Sequence, residues 1–312
     1  MRNSELPTQS VQQTSRLRAD LALLSVSIIW GSAFVVQRAV APNTSAFLFN
    51  GARFLLAGVA LLPFAWLSQQ RKSIQQRSNR TDRMGIILAG LLLSAGAALQ
   101  QAGLRYTTAA NAGFITGLYV VLIPIIETIF LKKPPRLWIW LAVVLAMLGL
   151  FLLSTGGQLS LRVGDLLELA GALFWALHVI WIGHLVTSLG AFQIAAGQYL
   201  VCGLVSLGLG LLFEADQAVS LLSAGWAILY AGLISVGLGY TLQIFGQKVA
   251  PPADAAILLS MEAVFAALFG WIFLQEYLTG VQILGCGVML SGMLLAQASL
   301  FKGFPTGLKR ER

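Results

Sequence analysis

The sequence predicts an all-α polytopic membrane protein with ten transmembrane helices arranged as two inverted five-helix repeats. Three observations support this prediction: the composition, a series of long apolar stretches, and an internal duplication. The chain is 57% hydrophobic and 10% charged, with a mean hydropathy of +0.81. A soluble domain carries about 25% charged residues. The composition therefore excludes an ordinary soluble protein.

Apolar stretches long enough to cross a hydrocarbon core of about 30 Å recur along the whole chain. They are continuous, unlike the alternating pattern of membrane β-strands. The predicted helices span residues 19–40, 44–68, 84–104, 108–131, 136–154, 164–187, 191–213, 223–246, 253–274 and 278–300. The segments 1–18 and 301–312 are predicted polar tails, 68–83 is a predicted aqueous connection, and 19–154 and 164–300 are the predicted membrane units.

Each predicted unit is a copy of the other. Residues 99–112 (LQQAGLRYTTAANA) return 143 positions later at 242–255 (LQIFGQKVAPPADA), and Trp30 matches Trp175 at an offset of 145. Five helices are an odd number, so the second copy must cross the membrane in the opposite direction. Inverted repeats recur in secondary transporters, where one group of helices rocks against another and opens a central site to each side in turn. An inert duplicated scaffold is the alternative.

Positive charges are concentrated on one predicted side of the membrane. Ten spans put both termini on the same side, together with the basic residues of 1–18, 68–83 and 301–312. Only Arg105 and Arg162 lie clearly on the other side. The positive-inside rule then predicts that both termini are cytoplasmic. The net charge of +8 is therefore a topology signal, and nucleic acid is not expected as a partner.

Short motifs recur in order along residues 19–300. They are 29–34 (IWGSAF), 53–54 (RF), 111–112 (NA), 117–119 (GLY), Pro124, 253–255 (ADA), 261–265 (MEAVF) and Glu276. The ordered set resembles the EamA-type branch of the drug/metabolite transporter superfamily. The resemblance implies a multi-pass permease of the bacterial inner membrane whose relatives export amino acids and other small metabolites. It also implies a cavity surrounded by helices 1–4 and 6–9, with helices 5 and 10 at the periphery as a possible dimer contact.

Two charged residues lie deep inside predicted helices. Arg53 and Glu262 each cost roughly 2.5–3.5 kcal/mol on insertion scales, and each lies near the midplane, where alternating-access sites lie. Their repeat mates, Gln198 and Tyr119, are uncharged. We expect Arg53 and Glu262 to approach one another directly or through substrate; a structural ion pair or snorkelling is the alternative. Glu262 is also a candidate proton carrier.

Aromatic and amide residues complete the predicted site. Trp30, Phe34 and Gln37 follow i, i+4, i+7 spacing and are expected to share one face of the first helix. The remaining candidates for substrate binding or coupling are Asn50, which is expected to orient Arg53, and Gln100, Gln101, Tyr119, Trp175, His178, Gln198, Tyr240 and Gln243. Asn111 and Asp254 stand at predicted helix starts and are expected to be N-caps.

The predicted function is a secondary carrier that moves small organic metabolites outward, with apolar or aromatic amino acids suiting the aromatic cavity. A sugar-derivative or nucleotide-sugar carrier is a near alternative, although phosphates usually need several cations. A passive channel stays open as well, whereas a membrane enzyme would need a clustered catalytic set. No cofactor or metal is expected, since no Walker-type motif occurs and His178, His184 and the scattered carboxylates form no clustered set. The expected partners are a small-molecule substrate, protons and lipid, with the protein as a monomer or homodimer.

Overall fold

The protein is helical throughout the part that the structure describes. The computed structural model describes residues 6–70, 80–130, 132, 137–155 and 163–301, and no strand occurs among them. The helices are α1 (Leu6–Val40), α2 (Ala46–Gln70), α3 (Arg80–Gly103), α4 (Ala109–Gly117), α5 (Tyr119–Ile129), α6 (Leu137–Thr155), α7 (Val163–Leu185), α8 (Ala191–Phe213), α9 (Ser220–Ser223), α10 (Gly225–Leu229), α11 (Thr241–Gln247), α12 (Pro252–Leu259), α13 (Glu262–Leu274) and α14 (Gly280–Phe301). A π-helical segment, Tyr230–Tyr240, joins α10 to α11.

Eight helical stretches in the described residues are long and apolar enough to cross a membrane. They are Thr14–Asn43, Ala46–Ser68, Thr81–Gly103, Ala109–Ile129, Val163–Leu185, Ala191–Phe213, Gly225–Gln247 and Pro252–Leu274. Two shorter apolar helices, Leu137–Gly149 and Gly280–Gly292, lie in the positions of the fifth and tenth predicted spans. The chain is therefore a multi-pass membrane protein. Most of the predicted aqueous connection and the polar C-terminal tail, with Arg162 and residues 1–5, lie outside the described residues.

The first helix begins earlier than predicted. The polar residues before 19 continue the apolar helix back to Leu6. Arg16 lies in this extension and donates to Asp20 one turn later at 2.9 Å. An i, i+4 ion pair of this kind stabilises a helix locally, so polarity alone did not mark the helix start.

Two predicted helices are interrupted. The predicted span 108–131 breaks at Leu118, between α4 and α5, and the predicted span 253–274 breaks at Ser260 and Met261. At each break a backbone N–H donates to the carbonyl three residues earlier, as in a 3₁₀ turn. Leu118 N donates to Ile115 O at 3.1 Å, and Met261 N donates to Leu258 O at 3.2 Å. Leu118 and Met261 are 143 positions apart. Interrupted helices are typical of substrate sites in transporters.

The N-cap predictions for Asn111 and Asp254 are wrong. Thr108 is the N-cap of α4, and its hydroxyl accepts from Asn111 N at 3.1 Å. Asp254 is the third residue of α12 and pairs with Arg16 Nη2 at 2.9 Å. Each N-cap lies three residues earlier than expected, at Thr108 and Pro251, because Thr108 supplies the capping oxygen of α4 and a proline, Pro252, begins α12.

Helices of the two halves pack closely through glycine. α2 crosses α8, where Leu200 lies against Gly58 and Leu55 lies against Gly203. The two contacts are equivalent in the repeat, because Gly203 and Leu200 lie 145 residues after Gly58 and Leu55. A Cβ on Gly58 would come within 2.9 Å of Leu200 Cδ2, so the absence of side chains allows the helices to approach, as is common in membranes.

The other long contacts also join the two halves. α3 packs on α7, α1 packs on α13 and on the π segment, and α6 packs on α14. The main buried core includes Phe54, Tyr199 and Tyr240 and lies between these helix pairs. This arrangement leaves the polar residues of α1, α2, α7 and α13 facing one another in the interior.

Candidate functional site

A buried cavity lies where helices of both halves meet. It is lined by Trp30, Ala33, Phe34, Gln37, Arg53, Gln100, Thr116, Tyr119, Trp175, His178, Val179, Ser235, Tyr240, Gln243 and Glu262. All the residues predicted from the sequence lie in this lining except Asn50, Gln101 and Gln198. About 30 Å³ is open to the centres of water molecules, enough for a few waters. A metabolite therefore needs the walls to move apart.

Arg53 forms part of the wall and has neutral partners. Its side chain is 3% exposed; Nε donates to Asn50 Oδ1 at 2.9 Å and Nη1 donates to Gln37 Oε1 at 2.6 Å. The guanidinium carbon lies 5.0 Å from the centre of the Phe54 ring. Asn50 precedes Arg53 by three residues on α2, so the helix itself sets this contact. Since a guanidinium has five N–H donors, Arg53 keeps both charge and donors for an anionic group.

Glu262 lies on another wall of the same cavity. It is the first residue of α13, directly after the helix break, and is 2% exposed. Its Oε1 accepts a hydrogen bond from Tyr119 Oη at 3.0 Å, and Tyr119 is the first residue after the break of the other half. Among the described residues no ion pair joins Arg53 to Glu262; the two side chains share a cavity and do not pair with each other.

Aromatic rings surround Tyr240 at the end of the π segment. The Tyr240 ring centre lies 4.5 Å from that of Trp30, 5.9 Å from that of Trp175 and 6.1 Å from that of His178. The indole N–H of Trp30 donates to Ser235 O in the π segment at 3.1 Å. These rings form an apolar wall next to the two charged residues.

The two tryptophans occupy corresponding positions. Trp175 lies against Gly96 on α3, and Trp30 lies against Gly239 in the π segment. Gly96 and Gly239 are 143 positions apart. A Cβ would come within about 3 Å of the indole at either glycine, at 3.0 Å for Gly96 and 2.7 Å for Gly239. Glycine at both positions therefore lets an indole reach the cavity from each half.

Three residues predicted for the site lie behind its lining. Asn50 supports Arg53, and Gln198 Oε1 lies 2.9 Å from Nε2 of His178, which lines the cavity. Gln101 is buried, and both of its amide atoms are without a hydrogen-bond partner. The first two residues orient lining side chains, and nothing in the structure explains the burial of Gln101.

Sequence reasoning missed Ala33, Thr116, Val179 and Ser235 in the lining, and Glu168 behind it. Thr116 Oγ1 donates to Glu168 Oε2 at 3.1 Å. Glu168 is an acidic residue within a predicted span, which is the same signal that selected Glu262. Within the described residues no group of three or more His, Cys, Asp or Glu side chains is placed to hold a metal ion.

Both the family model and the relatives that match this chain are described as transporters. Residues 17–155 and 162–297 each match the EamA-like transporter family. The chain is 34% identical over 286 residues to an uncharacterized transporter of Archaeoglobus fulgidus, covering 90% of this chain and 86% of that protein. It is 32% identical over 178 residues to the threonine/homoserine exporter RhtA of Salmonella typhimurium, covering 54% of this chain and 58% of the exporter.

A solved crystal structure with 17% sequence identity aligns with a TM-score of 0.71 over 91% of this chain and 97% of that one, which shows a common fold. The family match covers most of the chain in two parts, and apolar helices around a cavity with both aromatic and charged walls are in line with a membrane transporter. The chain is therefore a member of the EamA-like transporter family.

Proposed function

We propose that the protein is a secondary transporter that exports amino acids across the bacterial inner membrane by alternating access. The observation that carries the proposal is that Arg53 and Glu262 line one buried cavity without pairing. Opposite charges that share a cavity and do not neutralise each other suit a zwitterion. The threonine/homoserine exporter that the chain partly resembles is in line with this substrate class.

Each charge has a partner in such a substrate. The planar guanidinium of Arg53 can hold a carboxylate with two parallel hydrogen bonds. The carboxyl of Glu262 can accept from an ammonium group while Tyr119 keeps it oriented. The rings of Trp30 and Tyr240 then face the substrate side chain, and apolar or aromatic side chains gain most from that wall.

The proposal includes an inverted repeat of ten helices, with the repeats at 19–154 and 164–300 and cytoplasmic tails at 1–18 and 301–312. Contacts related by exchange of the two halves support it: Gly58 with Leu200 corresponds to Gly203 with Leu55. The tryptophans recur at an offset of 145 residues, and the helix breaks and the glycines that the tryptophans touch recur at an offset of 143. The basic residues of the two tails support the cytoplasmic assignment.

Different contacts close the two ends of the cavity in this proposal. At one end Arg16 pairs with Asp20 on α1 and with Asp254 on α12, both at 2.9 Å. At the other end Thr107 Oγ1 donates to Asp165 Oδ1 at 2.8 Å. Asp20 and Asp165 are matching positions, 145 residues apart. Alternating access requires one of these closures to open while the other holds, because simultaneous opening would make a channel.

Counterflow in proteoliposomes tests the function. Purified protein is reconstituted with unlabelled threonine, homoserine, leucine or phenylalanine inside, and uptake of the same labelled amino acid is followed. We expect internal substrate to accelerate uptake, because a carrier returns faster when loaded. Uptake that is rapid and indifferent to internal substrate would indicate a channel. Uptake equal to that of empty liposomes for every amino acid would overturn the proposed substrate class.

A further inference from the structure

A buried carboxyl beside the cavity has no counterpart in the other half of the chain. Glu168 lies on α7 and is 0% exposed. The matching residue, 145 positions earlier, is the equally buried Leu23. Glu168 packs against Gly103 as Leu23 packs against Gly246. The fold therefore accepts an apolar side chain in this position, and neither packing nor duplication requires a carboxyl.

The hydrogen bonds of Glu168 connect it to the cavity and leave one oxygen without a partner. Thr116 Oγ1 donates to Oε2 at 3.1 Å, and Gln100 Nε2 donates to the same hydroxyl at 3.3 Å. Thr116 and Gln100 both line the cavity. Oε1 is buried and has no hydrogen-bond partner. Only one side chain thus separates Glu168 from the proposed substrate.

Among the described residues no cation balances a negative charge on Glu168, whereas Glu262 shares its cavity with Arg53. Hydroxyl and amide groups approach it from α3 and α4, and the ionisable groups that act on it are carboxyls: Asp165 on its own helix and Glu262 on α13. No lysine, arginine or histidine among the described residues forms an ion pair with it. An ionised carboxylate buried without a cation is strongly unfavourable. The neutral acid avoids this cost in the closed arrangement of α4 against α7.

We propose that Glu168 is a proton-binding site, coupled to opening of the contact between α4 and α7; this rests on the proposed transport function. In the closed contact the side chain is a carboxylic acid with its proton on Oε1. When α4 moves away from α7, water reaches Oε1, the O–H bond breaks heterolytically, and the proton passes to water. Closing reverses the step, and no electrons are transferred.

The break between α4 and α5 links this site to the substrate. Thr116, just before the break, donates to Glu168, and Tyr119, just after it, donates to Glu262. A substrate that binds Glu262 therefore acts, through Tyr119, on the helix break that also positions Thr116 against Glu168. In the other half, Leu259 and Leu23 stand at the positions of Thr116 and Glu168. The proton thus acts at one end of the cavity, which is the outer end in the proposed topology.

Infrared spectroscopy of the purified full-length protein, labelled with ¹³C-glutamate, tests the proton site without a substrate. We expect wild type at neutral pH to show a carboxylic-acid carbonyl band from glutamate, and Glu168→Gln to lose it. Glu262→Gln, which removes the buried glutamate of the cavity and leaves Glu168 in place, should retain the band. Thr116→Val, which leaves Glu168 in place, should shift its frequency, because Oε2 loses its donor. An unchanged band in Glu168→Gln, or an unshifted band in Thr116→Val, would overturn the site.

Hydrogen exchange of the backbone amides of α4 tests the coupling in the same samples. After correction for intrinsic chemistry, exchange in wild type should accelerate several-fold from acidic to alkaline pH, and Glu168→Gln should abolish the acceleration. A lost infrared band with unaltered exchange would refute the coupling while leaving the proton site. Neither measurement uses a substrate, so absence of counterflow would overturn the transport proposal separately.

Discussion

At the scale of single residues, the two halves differ where charge is placed. Arg53 stands where the second half has Gln198, and Glu262 stands where the first half has Tyr119. Both charged side chains are almost fully buried in an apolar protein. Since the sister positions fold with neutral side chains, the cost of these charges is not a requirement of the fold, and a substrate with opposite charges accounts for both.

Arg53→Gln gives the first half the residue that the second half carries. We expect counterflow at low substrate concentration to fall about 10- to 100-fold, because hydrogen bonds to a charged group contribute about 1.5–3 kcal/mol. Arg38→Gln is the control, since Arg38 is a half-buried arginine of α1 outside the cavity lining. If the two variants lose the same activity, Arg53 does not hold the substrate.

Glu262→Gln tests recognition of the ammonium group. We expect leucine to compete much less well against uptake by this variant than by wild type. The 2-hydroxy acid with the same side chain lacks the ammonium group and should compete equally well against both. Competition for labelled substrate in proteoliposomes measures both compounds. Equal losses for the two compounds would assign Glu262 a general structural role.

At the scale of helices, close crossings depend on where glycine stands. Gly203 of α8 faces Leu55, and its Cβ would lie 2.7 Å from Leu55 Cγ and 2.8 Å from the backbone nitrogen. Gly208, five residues later on the same helix, has no atom within 4 Å of a Cβ. Of these two glycines, only Gly203 lies where α2 and α8 approach closely.

Gly203→Ala and Gly208→Ala form a matched pair on one helix. The first should destabilise the protein by about 1–3 kcal/mol, since the new methyl group overpacks the crossing. The second should be neutral or stabilise by up to about 1 kcal/mol through helix propensity. Thermal unfolding in detergent, followed by loss of the monodisperse chromatographic peak, compares them. Equal midpoints would contradict the close crossing.

The sequence predicted the helices better than their interruptions. Long apolar stretches locate spans, because about 20 mostly apolar residues are needed to cross the hydrocarbon core. Gly117 directly precedes the break at Leu118, but no glycine or proline stands at the corresponding break at Met261, so no shared sequence signal marks the two breaks. Glu168 is an acidic residue within a predicted span, as Glu262 is, but it was missed because acidic residues are also common near helix starts. Its packing against Gly103 and Thr116 shows that it is buried.

At the scale of the whole molecule, the cavity belongs to neither half alone. Arg53 comes from the first half and Glu262 from the second, and the ring of Tyr240 contacts indoles from both. Contacts such as Gly96 with Trp175 and Gly239 with Trp30 recur on exchange of the halves. A two-fold axis within the membrane plane relates such contacts only if the halves run in opposite directions.

Cysteine labelling at two matching positions tests that orientation. Tyr106 and Val249 are 143 positions apart and are 55% and 42% exposed. In a background in which Cys202 and Cys286 are replaced by alanine, Tyr106→Cys should react with a membrane-impermeant maleimide in intact cells. Val249→Cys should react only after permeabilisation, because the inverted repeat places it in the cytoplasm. Labelling of both from the outside would mean that the copies run parallel, and rocking of inverted halves would then no longer explain transport by this fold.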